Sequence, residues 1–214
     1  MAGQTGGAGG VKSFITAALL LFALWFMYSH IAEIERATAD LTMPNVSTVA
    51  GATHSVERVN QLARSQYNSQ QEQNTWEMSA CAAAATTVVL NYYGGNYRVH
   101  DILQVMIANG DISGAGLLTH AGLAHTAAHY DFHAVLNEED TLDHVIAVAN
   151  SGKPVIVNWP PDRLNGGHFV VVTGGNSSTV FVADSSSYNY TDMPREQFLS
   201  FWGEPGFSAV LTPH

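Results

Sequence analysis

The segment that most restricts the fold of this chain is residues 77–95, EMSACAAAATTVVLNYYGG, a run of small and apolar side chains that ends in two glycines. Ser79 is a helix-capping residue type, and it predicts a helix that continues to about Tyr93 and stops at the glycines. Valine and threonine are poor helix formers, so this helix must be held in place by burial in a core. The other elements therefore have to pack around it. Cys81, the only cysteine of the chain, lies in its first turn.

The rest of the sequence separates into helices followed by strands. Residues 55–61 alternate like a short strand, and residues 62–78 are polar and loop-like. Further helices are predicted near 99–109, 117–130, 139–151 and 194–202. Short β runs are predicted in PVIVNW, HFVVVTG, TVFVAD and FSAVLTP. Helices first and an antiparallel sheet second predict one α+β domain at residues 55–214.

The amino-terminal part differs from this domain in composition. Residues 1–12 have the composition of a flexible tail, and residues 33–54 of a stalk. Residues 13–32 between them contain 15 consecutive residues, FITAALLLFALWFMY, without a charge or a proline. About 20 such residues span a bilayer, so we expect a single transmembrane anchor, with a cleaved signal peptide or a buried helix as the alternatives. Lys12 before the span favours an extracytoplasmic domain at the cell membrane, or a secreted one after cleavage.

Charge and cysteine content exclude several classes of function. The formal net charge is −10, which argues against a nucleic-acid partner. One cysteine cannot form an intramolecular disulfide or a zinc site of paired cysteines. His120, His125 and His129 share one predicted helix, but the sequence lacks the glutamate of a metalloprotease motif and has alanine-rich neighbours. We therefore expect no metal and no cofactor.

Residues 166–187, GGHFVVVTGGNSSTVFVADSSS, predict a β-hairpin whose turn is GGNSS. If Thr173 faces Thr179, then His168 lies opposite Asp184 on the same face of the ribbon. Directly opposed side chains have Cβ atoms about 5 Å apart, which is close enough for an imidazole–carboxylate hydrogen bond.

These three residue types together suit nucleophilic catalysis. A thiol in a first helical turn is favoured as the thiolate by the helix dipole. A histidine oriented by a carboxylate is the general base that such a nucleophile needs. Each of the three residues also has a purely structural interpretation. Cys81 can be a small buried hydrophobe, His168 a residue at the rim of a sheet, and Asp184 a turn former.

The order of cysteine on a helix, histidine at a strand start and acid on the next strand resembles the papain-like cysteine peptidases. More narrowly, the chain resembles the bacterial bacteriocin-processing, double-glycine leader peptidases and their free-standing relatives. SACAAAATTVVLNYYGG, KPVIVNW, GGHFVVVTGG and VFVADSSS carry the resemblance, which covers about residues 55–212. It implies a papain-like fold with Cys81 as nucleophile, His168 as general base and Asp184 as its orienting partner.

The resemblance also implies a glutamine upstream of the cysteine, whose amide helps backbone N–H groups to stabilise the oxyanion. Thr75 stands where the short glutamine–cysteine spacing of the family would put this amide. VERVNQL resembles the strand that carries the glutamine, so Gln61 is the first candidate. Gln70 and Gln73 are the alternatives.

The sequence thus predicts a membrane-anchored cysteine peptidase that acts on a peptide or protein substrate through an acyl-enzyme. An amidase or acyltransferase on the same fold is a close rival. A catalytically silent, anchored binding module is a rival of another class.

Overall fold

The structure is a computed structural model and describes residues 48–49, 56–113 and 118–214. The predicted tail at 1–12, the predicted anchor at 13–32 and the stalk apart from 48–49 lie outside the described residues. Within the described ranges, every helix is too short or too polar to cross a bilayer.

The described residues form six α-helices and eight β-strands, together with a short 3-10 helix at Arg64–Gln66. The helices are α1 (Gln70–Trp76), α2 (Cys81–Tyr92), α3 (Val99–Ala108), α4 (His120–His129), α5 (Leu142–Asn150) and α6 (Arg195–Trp202). The strands are β1 (Thr48–Val49), β2 (Val56–Glu57), β3 (Phe132–Asp140), β4 (Val155–Trp159), β5 (His168–Gly175), β6 (Thr179–Ala183), β7 (Asp192–Pro194) and β8 (Gly206–Pro213).

Six of the strands form one antiparallel sheet in the order β3-β8-β4-β5-β6-β7. Strands β1 and β2 pair separately as a two-stranded antiparallel ribbon. The α+β class predicted from the sequence is therefore confirmed. Strand β5, which begins at His168, lies between β4 and β6.

Helix α2 is enclosed by protein on all sides, because every residue from Ala82 to Leu90 is buried. The hydroxyls of Thr86 and Thr87 each donate to the carbonyl four residues earlier, at 2.8 Å, so they can be buried without loss of a hydrogen bond. The predicted cap by Ser79 is wrong. Ala80 occupies the N-cap, and no side chain caps the helix.

Helices cover both faces of the sheet. Helices α2, α3 and α4 pack on the face that presents Ile156, Phe169, Val171, Ala183, Ala209 and Leu211. Helices α5 and α6 pack on the opposite face, which presents Val155, Val157, Trp159, Val170, Val172, Val180 and Val182. A strand buried on both faces has a continuous apolar sequence, which is why FVVV in β5 lacks alternation.

Strand β3 was not predicted from the sequence. It runs antiparallel to β8 at the edge of the sheet, and its polar end NEED leads directly into α5. Phe132, Ala134 and Leu136 face the core, whereas Val135 between them is 54% exposed. The expected helix at 139–151 is shorter in the structure, Leu142–Asn150, because Asp140 still belongs to the strand.

Candidate active site

The first residues of α2 and β5 meet at one end of the sheet. Helix α2 packs on β5, so Cys81, the first residue of the helix, lies beside His168, the first residue of the strand. The two side chains line the same small cavity and are close enough to shift each other's pKa. Cys81 is partly exposed, and a reagent or substrate can approach it through this cavity.

Asp184 contacts the other side of the His168 ring. The distance from His168 Nε2 to Asp184 Oδ1 is 2.7 Å, which leaves Nδ1 as the ring nitrogen for Cys81. Three side chains that are far apart in sequence are thus adjacent in space, as predicted: the imidazole of His168 binds the carboxylate of Asp184 and lies beside the sulfur of Cys81.

The predicted hairpin register is nevertheless wrong. Val172 pairs with Val182, and a bulge at Thr173 shifts the pairing before Gly174. On this register, Asp184 lies one step beyond the end of β6 and diagonal to His168, not opposite to it. A shift of two residues keeps side chains on the same face, so the imidazole–carboxylate contact survives the error.

The Asp184 carboxylate is fully buried and accepts four hydrogen bonds. Besides His168, its donors are the Ser186 N–H and hydroxyl, each at 2.8 Å, and the Tyr190 N–H at 3.2 Å. Burial by itself would raise the pKa of Asp184, but the hydrogen bonds and the charge of His168 outweigh it and lower that pKa. The carboxylate is therefore ionised at neutral pH, and it organises the turn at 184–190.

The thiol and the imidazole shift each other's ionisation. Burial by itself would raise the pKa of Cys81, but the hydrogen bond and the charge of His168 outweigh it and lower that pKa. Backbone hydrogen bonds from Phe169 and Ala82 act in the same direction. Burial would lower the pKa of His168, but its bonds to Asp184 and Cys81 raise it to about 9. Both shifts favour the thiolate–imidazolium form of the pair over the neutral form.

Arg58 is a supporting residue that the sequence analysis missed. It is 1% exposed, and its Nε donates to the backbone carbonyl of Asp184 while its Nη2 donates to the carbonyl of Ser186 at 2.6 Å. A buried guanidinium with two carbonyl acceptors holds the backbone of this turn, and its charge also favours the ionised carboxylate.

Gln61 joins the Asp184 turn to the segment that precedes the cysteine. Its backbone N–H and its side-chain oxygen both bind Ser185, and its side-chain nitrogen donates to the carbonyl of Glu77 at 2.8 Å. One of the two amide hydrogens is used in this way. The alternatives have other partners: Gln73 donates to the carbonyl of Leu62, and Gln70 binds Gln73 and a neighbouring asparagine.

A small cavity of about 60 Å³ lies beside Cys81 and His168. Gly166, Gly167 and Asn158 contribute to its wall. The Asn158 side chain has no hydrogen-bond partner within the described ranges, so its amide is available to a bound molecule. No glutamine is among the described residues that line this cavity.

The three histidines of α4 contact separate partners. His120 binds Glu138 at 2.7 Å and stacks on Phe207, whereas His125 binds Asp111 at 3.0 Å. His129 packs against a tyrosine ring. In the part of the chain that the structure describes, no three histidine, cysteine or acidic side chains converge in a way that could hold a metal ion.

Comparison with solved structures identifies the class of fold. The peptidase domain of Streptococcus ComA, a bi-functional ABC transporter involved in a quorum-sensing pathway, superposes with a TM-score of 0.54 at 22% identity, covering 64% of this chain and 93% of that domain. The peptidase C39 like domain of a toxin secretion ATP-binding protein from Vibrio parahaemolyticus gives 0.47 at 20% identity, covering 63% and 97%. A double glycine motif protease from an AMS/PCAT transporter, solved with its leader peptide, gives 0.47 at 23%, covering 63% and 84%. The fold is that of the C39 peptidase domains.

The family follows from the sequence match. The model of the Peptidase_C39 like family matches residues 54–210, and the chain belongs to this family. The predicted resemblance is therefore confirmed. No curated protein gives a significant match to the chain.

Proposed function

We propose that this chain is a cysteine peptidase that cleaves peptide bonds through a covalent acyl-enzyme, with Cys81 as nucleophile and His168 as general acid and base. The observation that carries the proposal is the placement of Cys81 beside His168, whose ring is hydrogen-bonded to the buried Asp184 carboxylate at 2.7 Å. Membership of the C39 peptidase-like family supports the same reaction class.

In the first half of the reaction, the Cys81 thiolate attacks the carbonyl carbon of the scissile amide. The carbon–sulfur bond forms, and the proton on His168 Nδ1 passes to the amide nitrogen as the carbon–nitrogen bond breaks. The amine leaves, and a thioester remains. In the second half, His168 takes a proton from water, the hydroxyl attacks the thioester carbon, and the thiolate is released with the carboxylic acid. Asp184 orients the ring and stabilises the imidazolium.

The negative charge that develops on the carbonyl oxygen needs hydrogen-bond donors near the start of α2. No side chain caps the start of α2, so we assign backbone N–H groups of its first turn as donors to this oxygen. We assign the second amide hydrogen of Gln61 to the same oxygen, because Gln61 is held between the Asp184 turn and the segment leading to Cys81. Gln70 and Gln73 are less suited, since both are bonded within the 62–76 segment.

The residue before the scissile bond is proposed to be small. The cavity beside the sulfur measures only about 60 Å³, and its wall includes two glycines with positive φ, Gly166 and Gly167. A large side chain would not fit there. This selection agrees with the resemblance to double-glycine leader peptidases.

The test is product analysis on peptides with a Gly-Gly or Ala-Ala pair before the scissile bond, in the presence and absence of an added primary amine. We expect two fragments separated by the addition of one water, and the same products with the amine. A dominant amide with the added amine would make the chain an acyltransferase. Intact peptides together with tight peptide binding would favour the silent binding module.

We further propose that residues 13–32 anchor the enzyme in the cell membrane with its catalytic domain on the extracytoplasmic side. The support is the 15-residue apolar run and the lysine that precedes it. A signal peptide that is cleaved to secrete the domain remains the alternative. Fractionation of cells followed by mass determination of the mature chain distinguishes the two.

A further inference from the structure

A second and larger cavity, of about 440 Å³, lies on the far side of His168 from Cys81. Gly167 and His168 belong to the walls of both cavities, whereas Cys81 lines only the small one and Asp184 only the large one. The two cavities therefore adjoin each other at Gly167 and the imidazole.

The wall of the large cavity is mainly aromatic. Trp159, Tyr188, Tyr190 and Phe201 all contribute to it, and the Trp159 and Phe201 ring centroids are 5.2 Å apart. Tyr188 stacks on Tyr190 and is 75% exposed, so its ring forms the rim. Asp184 accepts the Tyr190 N–H, and the same carboxylate that orients His168 therefore also holds the aromatic rim.

One polar group in this wall is unsatisfied. Trp159 is 1% exposed, and its indole N–H has no acceptor within the described residues. A buried N–H without an acceptor is uncommon. The indole ring of Trp159 contributes apolar surface to the cavity wall.

The chemistry of the small cavity decides which part of a substrate reaches the large one. The acyl carbon binds at the Cys81 sulfur, and the leaving nitrogen takes its proton from His168. The leaving side of the substrate consequently continues over the imidazole and Gly167. We infer that the large cavity binds the first residue after the scissile bond and selects an aromatic or large aliphatic side chain there. This inference rests on the proposed peptide hydrolysis.

The first experiment compares kcat/KM for peptides with the same acyl side and Phe, Leu, Ala or Gly after the scissile bond. The wild-type enzyme should prefer Phe or Leu to Gly by about tenfold or more. Tyr188→Ala should reduce this ratio at least about threefold, whereas Tyr188→Phe should retain it. Val135→Ala, at an exposed apolar position on β3, is the matched control with an unchanged ratio. Equal rates for Phe and Gly peptides in the wild type would overturn the inference while leaving peptide hydrolysis in place.

A second readout does not depend on turnover. Tripeptide amides with a free amino terminus and Phe or Gly as first residue are titrated into the protein, and binding is followed by tryptophan fluorescence and calorimetry. We expect the Phe peptide to bind at least about tenfold more tightly than the Gly peptide, and Tyr188→Ala to remove this difference. Selective binding without any peptide cleavage would support the cavity and contradict the proposed hydrolysis. Equal binding of both peptides would contradict the assignment of the cavity.

Discussion

Replacement of Cys81 by alanine is expected to reduce peptide hydrolysis by at least about 10⁴-fold, because the sulfur that forms the thioester is removed. The residual rate should come only from substrate binding and the oxyanion donors. The measurement is kcat/KM of purified wild-type and variant enzyme on a peptide with a small residue before the scissile bond. Because Cys81 is only partly buried and alanines flank it, the variant should fold normally.

Ser79→Ala is the matched control for this substitution. It removes a single oxygen two residues before the nucleophile, and the Ser79 hydroxyl makes only a long hydrogen bond of 3.4 Å to the carbonyl of Trp76. We expect near wild-type activity for it. If Cys81→Ala kept more than about a tenth of the wild-type activity, the thiol would not be the nucleophile.

Asp184→Asn is expected to lower kcat/KM by about 10³-fold or more, while the side-chain shape is retained. Two effects combine: the imidazolium loses its counter-charge, and an amide N–H donor replaces one of two oxygens that both accept hydrogen bonds, which disturbs the orientation of the ring. The carboxylate raises the pKa of His168, so its removal lowers that pKa. The imidazolium then loses its proton at lower pH, and the alkaline limb of the activity profile should move downward from about pH 9.

A shift of the alkaline limb indicates that Asp184 acts on the ionisation of His168, because a general loss of folding would lower the rate without moving this limb. Thermal unfolding monitored by circular dichroism is measured in parallel, because Asp184 also accepts hydrogen bonds from Ser186 and Tyr190. Asp192→Asn makes the same chemical change at an exposed position on β7 and should leave both rate and pH profile unchanged. An Asp184→Asn enzyme with the wild-type pH profile would rule out the orienting role.

The parts of the fold that follow from local sequence were predictable. The FVVV run in β5 and the small-residue run in α2 are continuous apolar segments that only a core can bury, and both elements form where their patterns indicate. The contact of His168 with Asp184 could also be predicted, because strand periodicity alone puts both side chains on one face. The bulge at Thr173 could not be predicted, since nothing local to the strand distinguishes pairings that differ by two residues.

The elements that depend on long-range contacts were missed. The sequence VERVN predicts an exposed charge at Arg58. Its burial depends on a hydrogen bond to the backbone carbonyl of Asp184, 126 residues later in the chain. Strand β3 is an edge strand with one solvated face and an acidic end, so its pattern is too weak to be separated from the helix that follows. The four aromatic residues of the large cavity come from three separate segments, namely β4, α6 and the turn after β6, and no single motif contains them.

If Cys81 and His168 form a reactive thiolate–imidazolium pair, the rate of iodoacetamide alkylation of Cys81, measured against pH, will report it directly. His168 lowers the pKa of the thiol, so the native protein should reach its maximal rate at lower pH than the unfolded protein. His168→Ala removes the stabilisation of the thiolate, while burial still opposes the negative charge on sulfur. The pH midpoint of alkylation of this variant should therefore move upward. Mass-spectrometric mapping would identify Cys81 as the modified residue. A thiol that is alkylated only on unfolding, or whose pH midpoint of alkylation is the same with and without His168, would show that Cys81 and His168 do not form this pair.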